Sequence, residues 1–104
     1  MTKTFTPTYV TLTTSESDVY VAPSKAMNLL VQAANNTGSP VNCEMWVTDS
    51  GNTHLFPIFP SQLITAYSGI SDNGKHVFPT GYKIRGVAGS NTAIYIEVNV
   101  IEGV

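Results

Sequence analysis

Apolar residues along this chain recur mainly at every second position, in short runs that each stop at a turn signal. Tyr9 to Thr14, rich in Thr, Val and Tyr, reads as a strand with Val10 and Leu12 on one face. Ser15-Glu16-Ser17-Asp18 is a turn, Val19-Tyr20-Val21 a short strand, and Pro23-Ser24 its end. Between Met27 and Asn35 a helix competes, because Met27, Leu30, Val31 and Ala34 have helical spacing. Met27, Leu29, Val31 and Ala33 alternate equally well, and the turn cluster Asn35 to Pro40 follows after one strand length, which favours a strand. Next, Val41, Cys43, Met45 and Val47 face one way while Asn42, Glu44, Trp46 and Thr48 face the other. Asp49-Ser50-Gly51-Asn52 closes that strand into a hairpin, since Asp, Gly and Asn tolerate positive φ.

Thr53 to Phe56 reads as a further short strand, and Pro57 and Pro60 bracket Ile58-Phe59. Proline cannot donate to a central ladder, so this segment is an edge or a crossing between sheets. Gln62 to Tyr67, Val77-Phe78 and Tyr82 to Val87 are short strands separated by the loop Ser68 to Lys75 and the turn Pro79-Thr80-Gly81. Thr92 to Glu102 alternates most cleanly, with Ile94, Ile96, Val98 and Val100 on the core side and Tyr95, Glu97 and Asn99 outward. About eight short strands with frequent turns predict an all-β fold, an antiparallel β-sandwich of jelly-roll-like or Ig-like type. Residues 1–7 lack a core pattern and are expected to form a flexible arm, leaving a single sandwich domain over 8–104.

Composition narrows the function classes. Charged residues make up 12% of the chain, against about 25% in ordinary soluble domains. Neutral polar side chains replace them, and such a surface costs less to desolvate in protein–protein contact. A net charge of −2 with no basic cluster argues against nucleic acid as a partner. No apolar run approaches the length of a membrane span, and the first residues do not resemble a signal peptide, so a membrane is not expected and cytoplasmic assembly is. The one cysteine, Cys43, sits at an apolar position of an alternating strand and reads as a buried packing residue.

The chemistry-bearing residues are scattered. His54 and His76 show no metal-ligand spacing, and no phosphate-binding glycine loop is present. Asp49 to Asn52 and Asp72-Asn73-Gly74 lack the ligand run of a calcium loop. No catalytic residue, metal site or cofactor is therefore expected, and the chain is not read as an enzyme. The aromatic residues say more. Trp46 and Tyr95 fall on outward faces, where they either bind a partner or are covered by a neighbouring sheet or loop. With Phe5 in the expected arm they are the candidate partner-binding residues. An exposed Trp with Asn and Asp nearby also suits a small glycan-binding β-sandwich module.

The order of features carries a resemblance. A Thr-rich first strand leads into Val19-Tyr20-Val21-Ala22-Pro23, then into an apolar strand with an Asn-rich turn, Leu29 to Gly38. Pro60 to Ile64, the step Lys75 to Ile84, and an alternating strand Ile94 to Glu102 follow. This succession resembles small virion structural proteins of tailed bacteriophages, with Pro79-Thr80 a departure where an apolar strand end is usual. The resemblance implies a capsid decoration (cement) protein that binds and stabilises a phage head shell, or a tail or neck accessory protein. It also implies no catalytic residues, the major capsid protein or other virion proteins as partners, a homodimer or homotrimer, and location in the virion.

Overall fold

The computed structural model describes residues 4–104, in which nine strands and no helix form. They are β1 (Thr4–Thr11), β2 (Ser17–Val21), β3 (Ala26–Asn35), β4 (Val41–Thr48), β5 (His54–Ile64), β6 (Gly69–Asp72), β7 (Val77–Phe78), β8 (Lys83–Ala88) and β9 (Ile94–Glu102). All pairings are antiparallel. One sheet runs β1-β9-β3, with β6 and β7 lying end to end along the far side of β3, and the other runs β2-β8-β4-β5. Apart from the β4–β5 hairpin and the β6–β7 pair, each strand crosses to the opposite sheet from its predecessor. That alternation is jelly-roll topology, which decides between the two sandwich types.

The period-2 reading holds along β9 and along β4 as far as Val47, but Thr48, expected outward, is fully buried where the β4–β5 register shifts between Val47 and Thr48. Val41, Cys43, Met45 and Val47 are buried, as are Ile94, Ile96, Val98 and Val100. Leu12, Val31, Ile64, Phe78 and Ile84 complete the fully buried layer between the sheets. Gly86 sits on the inner face of β8, where a Cβ would come within 3.0 Å of Leu12 Cδ2 and 3.1 Å of Met45 Cγ. Any side chain there would force the Leu12 and Met45 side chains to shift.

Three expectations change in detail. The segment expected as an arm contains Thr4–Pro7, which continue β1 opposite Asn99–Glu102, while residues 1–3 lie outside the described residues. The three pieces between Thr53 and Tyr67 form one edge strand, β5, whose register slips against β4 and which ends at Ile64. Pro57 and Pro60 are tolerated because that strand lies at the edge of its sheet. In β3 the register shifts between Asn28 and Leu30. Ala26 and Asn28 point inward before this bulge and Val31, Ala33 and Asn35 after it, so Met27 belongs to the opposite face from Val31.

Buried asparagines secure both ends of β3. The Asn28 side chain donates to the Gly74 carbonyl (3.0 Å) and accepts from the His76 N–H (2.8 Å), while its own N–H bonds the His76 carbonyl (3.1 Å). A side-chain amide thus replaces the ladder where the loop between β6 and β7 leaves the edge. Asn35 donates to the Ser39 and Ile64 carbonyls (2.8 and 3.0 Å) and accepts from Thr37 N–H (3.0 Å), tying the β3–β4 turn to the end of β5.

Truncating Asn28→Ala leaves two backbone groups of the loop without partners and should lower stability by about 2 kcal/mol, measured by urea unfolding. Cys43 is fully buried, and burial, with the nearby Glu44 carboxylate adding to it, pushes its thiol pKa up to about 12. Thiol reagents should therefore modify the protein only as it unfolds, and Cys43→Ala should cost about 1 kcal/mol. Rapid labelling of the native protein would show the β4 register to be wrong.

Candidate interaction surfaces

A sandwich buries one face of each sheet and leaves the other to solvent, and here the two outer faces differ chemically. The outer face of the β2-β8-β4-β5 sheet is a charged network. Asp18, Arg85 and Trp46 lie in register across β2, β8 and β4. Arg85 Nε donates to Glu16 Oε2 (2.9 Å), Nη2 to the Glu16 carbonyl (3.1 Å), and Nη1 to the Asp18 carboxylate and to Asn52 Oδ1 (3.2 Å). Lys83 donates to the same Asn52 oxygen (2.9 Å) and lies 3.5 Å from Asp18. These partners come from the start of β2, the β4–β5 turn and β8, segments brought together only by the two crossings.

Trp46 projects outward as expected, but the protein covers much of it. The His54 ring at the start of β5 stacks on the indole with centroids 4.4 Å apart and planes 14° from parallel. The indole N–H donates to Glu44 Oε1 (2.8 Å), and His54 Nε2, in the tautomer that carries its proton there, donates to Glu16 Oε1 (2.7 Å). Trp46 is thus half-buried within a network whose hydrogen bonds are made. Burial alone would raise the Glu16 carboxyl, but hydrogen bonds from Arg85 and His54 outweigh it and hold the pKa below its ordinary value.

The outer face of the other sheet carries almost no charge. Its outward positions run Phe5, Pro7, Tyr9 and Thr11 on β1, then Tyr95, Glu97, Asn99 and Ile101 on β9. Met27, Leu30, Gln32 and Ala34 on β3 and Gly69, Ser71 and Val77 on the β6–β7 edge complete it. Glu97 is the one charged residue among them. At one end, Phe5, Ile101, Met27 and Val77 pair across the whole width of the sheet as an apolar row. Phe5 is 58% exposed and Val77 55%. Beside Val77, the His76 ring packs on Phe56 of β5 with centroids 4.8 Å apart, so apolar surface continues around the edge. At the other end Tyr9 and Tyr95 border a shallow hollow that extends over β3 and β6.

The three candidate residues therefore do not form one site. Trp46 lies on the charged face, while Phe5 and Tyr95 lie at opposite ends of the uncharged one. Sequence reasoning missed Met27, Val77 and Ile101, and with them the apolar row. The β3 bulge hid Met27, and nothing local announces that a two-residue strand lies beside it. Tyr9 was legible, because alternation from Val10 and Leu12 turns it outward. Among the described residues, no group of three or more His, Cys, Asp or Glu side chains is placed to hold a metal ion.

No protein-family model and no curated protein matches the chain. Solved structures of similar fold include a chain of the acid-stable capsid of Helicobacter pylori bacteriophage KHP30, with a TM-score of 0.62 and 6% identity over 97% of this chain and 86% of that one. A chain of the disulfide-linked pili that are Bacillus endospore appendages gives 0.53 and 12% identity over 96% and 83%. The Drosophila NLP core, a structure concerned with pentamer formation and histone binding, gives 0.52 and 14% identity over 94% and 95%. At these identities the likeness is one of fold.

The Glu16 network makes a pH test. Because the folded pKa lies below the ordinary 4.5, the stability Glu16 contributes is complete above that value and is lost as pH falls through the folded one. Between about pH 6 and about pH 3 the wild type should lose more urea resistance than Glu16→Gln does. Parallel pH profiles would show that the ion pairs contribute nothing to stability.

Proposed function

We propose that this chain is a non-enzymatic structural protein of a virion, specifically a capsid decoration (cement) protein that binds and stabilises a phage head shell. The observation that carries the proposal is the uncharged outer face with its apolar row across β1, β9, β3 and β7. Such a face loses little hydration energy when covered, because only Glu97 among its outward residues would have to be desolvated as a charge. Exposed apolar side chains contiguous across a sheet mark a surface made to be covered. The jelly-roll likeness to the phage KHP30 capsid chain supports the reading at the level of fold, as does the order of sequence features. The partner is then the major capsid protein, or tail and neck proteins if the chain attaches there. Self-association into dimers or trimers would cover further apolar edge surface, such as Phe56 and Leu55. Many weak copies on one shell reach strong attachment through multivalency.

Binding of the purified protein to emptied head shells, followed by co-sedimentation, tests this. Met27→Asp and Val77→Asp should each weaken attachment by about 2 kcal/mol, roughly thirtyfold, while their circular dichroism stays that of the wild type. Trp46→Ala, on the charged face, should bind almost normally. If Trp46→Ala lost attachment while the row variants kept it, the docking face would be the other sheet.

A further inference from the structure

The hollow at the far end of the uncharged face has a lining that differs from the apolar row. It encloses about 390 Å³ and is lined by Tyr9, Glu97 and Tyr95 on β1 and β9 and by Gln32 and Ser71 on β3 and β6. Its depth comes from residue size. Tyr95 is in register with Ala34, and Ala34 with Gly69, so a large side chain stands beside two positions with almost none. The floor cannot readily be raised, since a Cβ on Gly69 would come within 3.0 Å of the Ala33 carbonyl oxygen.

Both rings are exposed, Tyr9 by 70% and Tyr95 by 48%. The Tyr95 hydroxyl accepts from Asn36 Nδ2 (3.3 Å), and the Glu97 carboxylate, in register with Tyr9 across the β1–β9 pair, raises the Tyr9 pKa. The Tyr95 ring is thereby oriented before anything binds. Among the described residues, the Gln32 amide and the Ser71 hydroxyl have no hydrogen-bond partner, and they lie in the same cross-strand row as Tyr9 and Glu97. No Lys or Arg lines the hollow.

From this geometry we propose that the hollow is a binding site for a neutral sugar ring, one pyranose unit of an uncharged glycan. A pyranose has an apolar C–H face that packs on tyrosine, and a rim of hydroxyls that pairs with an amide, a carboxylate and a serine. A wholly apolar plug would cover the polar half of the lining and leave those groups unpaired. A phosphate, sulfate or sialic acid would meet a carboxylate with no cation to offset it. The volume falls within the range of small-molecule sites. The hollow is separate from the docking row, because Tyr9 is four residues, roughly 13 Å, along β1 from Phe5. A subunit attached by that row can keep the hollow open, and sugar binding does not depend on the attachment being correct.

The test is NMR titration of the full chain, free in solution, with oligosaccharides of glucose, mannose, galactose and N-acetylglucosamine, and with sialyllactose as the anionic comparison. At least one neutral glycan should give saturable shifts centred on Tyr9, Gln32, Tyr95 and Glu97, with sialyllactose weaker. Tyr9→Ala and Tyr95→Ala should each weaken binding about tenfold or more, while Tyr95→Phe, which keeps the ring, retains most of it. Both tyrosines are exposed, so these variants leave the core intact, and Val77→Ser should bind sugar like the wild type. The proposal is overturned if no neutral glycan shifts these signals, if shifts centre on Trp46, or if the Tyr→Ala variants bind unchanged. It is equally overturned if the hollow responds only to added shells, which would make its occupant a protein side chain.

Discussion

The packing of two sheets, each giving up one face, is the interaction on which every other feature of this molecule rests. With 104 residues the chain has room for a single apolar layer, so the inner positions of nearly all strands must be spent on it. That layer is built from aliphatic side chains with few large rings, and Gly86 shows how tightly it is filled: a single methyl group there would meet Leu12 from across the layer and Met45 on the neighbouring strand. Once the inner faces are committed, the outer faces are the only surface from which function can be built.

Those outer faces have taken opposite characters. One gathers Glu16, Asp18, Glu44, Lys83 and Arg85 into a network that also holds the indole of Trp46 against His54. Mutually paired charges present little net attraction to a partner, and the tryptophan there acts largely within its own domain. The other face leaves neutral polar and apolar groups in register across its whole width. A low charge fraction read over the whole chain therefore hides a difference between faces, because Glu97 is the one charged residue among the outward positions of the second sheet.

Irregular points give the uncharged face its two ends. The bulge at Leu29 turns Met27 outward, into line with Ile101, Phe5 and Val77. Asn28, buried one residue later, holds the loop that splits the edge into β6 and β7 and so sets where Val77 lies. At the opposite end, small residues beside Tyr95 make a depression instead of a plane. A regular ladder with uniform side chains would have produced neither the row nor the hollow.

Alternation alone determined a good deal: that the chain is all strands, that Cys43 and the even positions of β9 from Ile94 to Val100 are buried, and that Trp46, Tyr9 and Tyr95 face outward. These follow from a period of two, which is local and survives without knowledge of any partner strand. Tertiary structure decided the rest. It chose the jelly roll over the Ig-like order, merged three short pieces into β5, drew Thr4–Pro7 into β1, and set Trp46 under His54. It also joined Arg85 to Glu16, 69 residues away in the chain, and put Phe5 and Tyr95 on a different sheet from Trp46. The physical reason is that register, bulges and sheet assignment are set by long-range pairing, and one inserted residue reverses the face of all that follows, whereas side-chain alternation between such irregularities needs only the pleat.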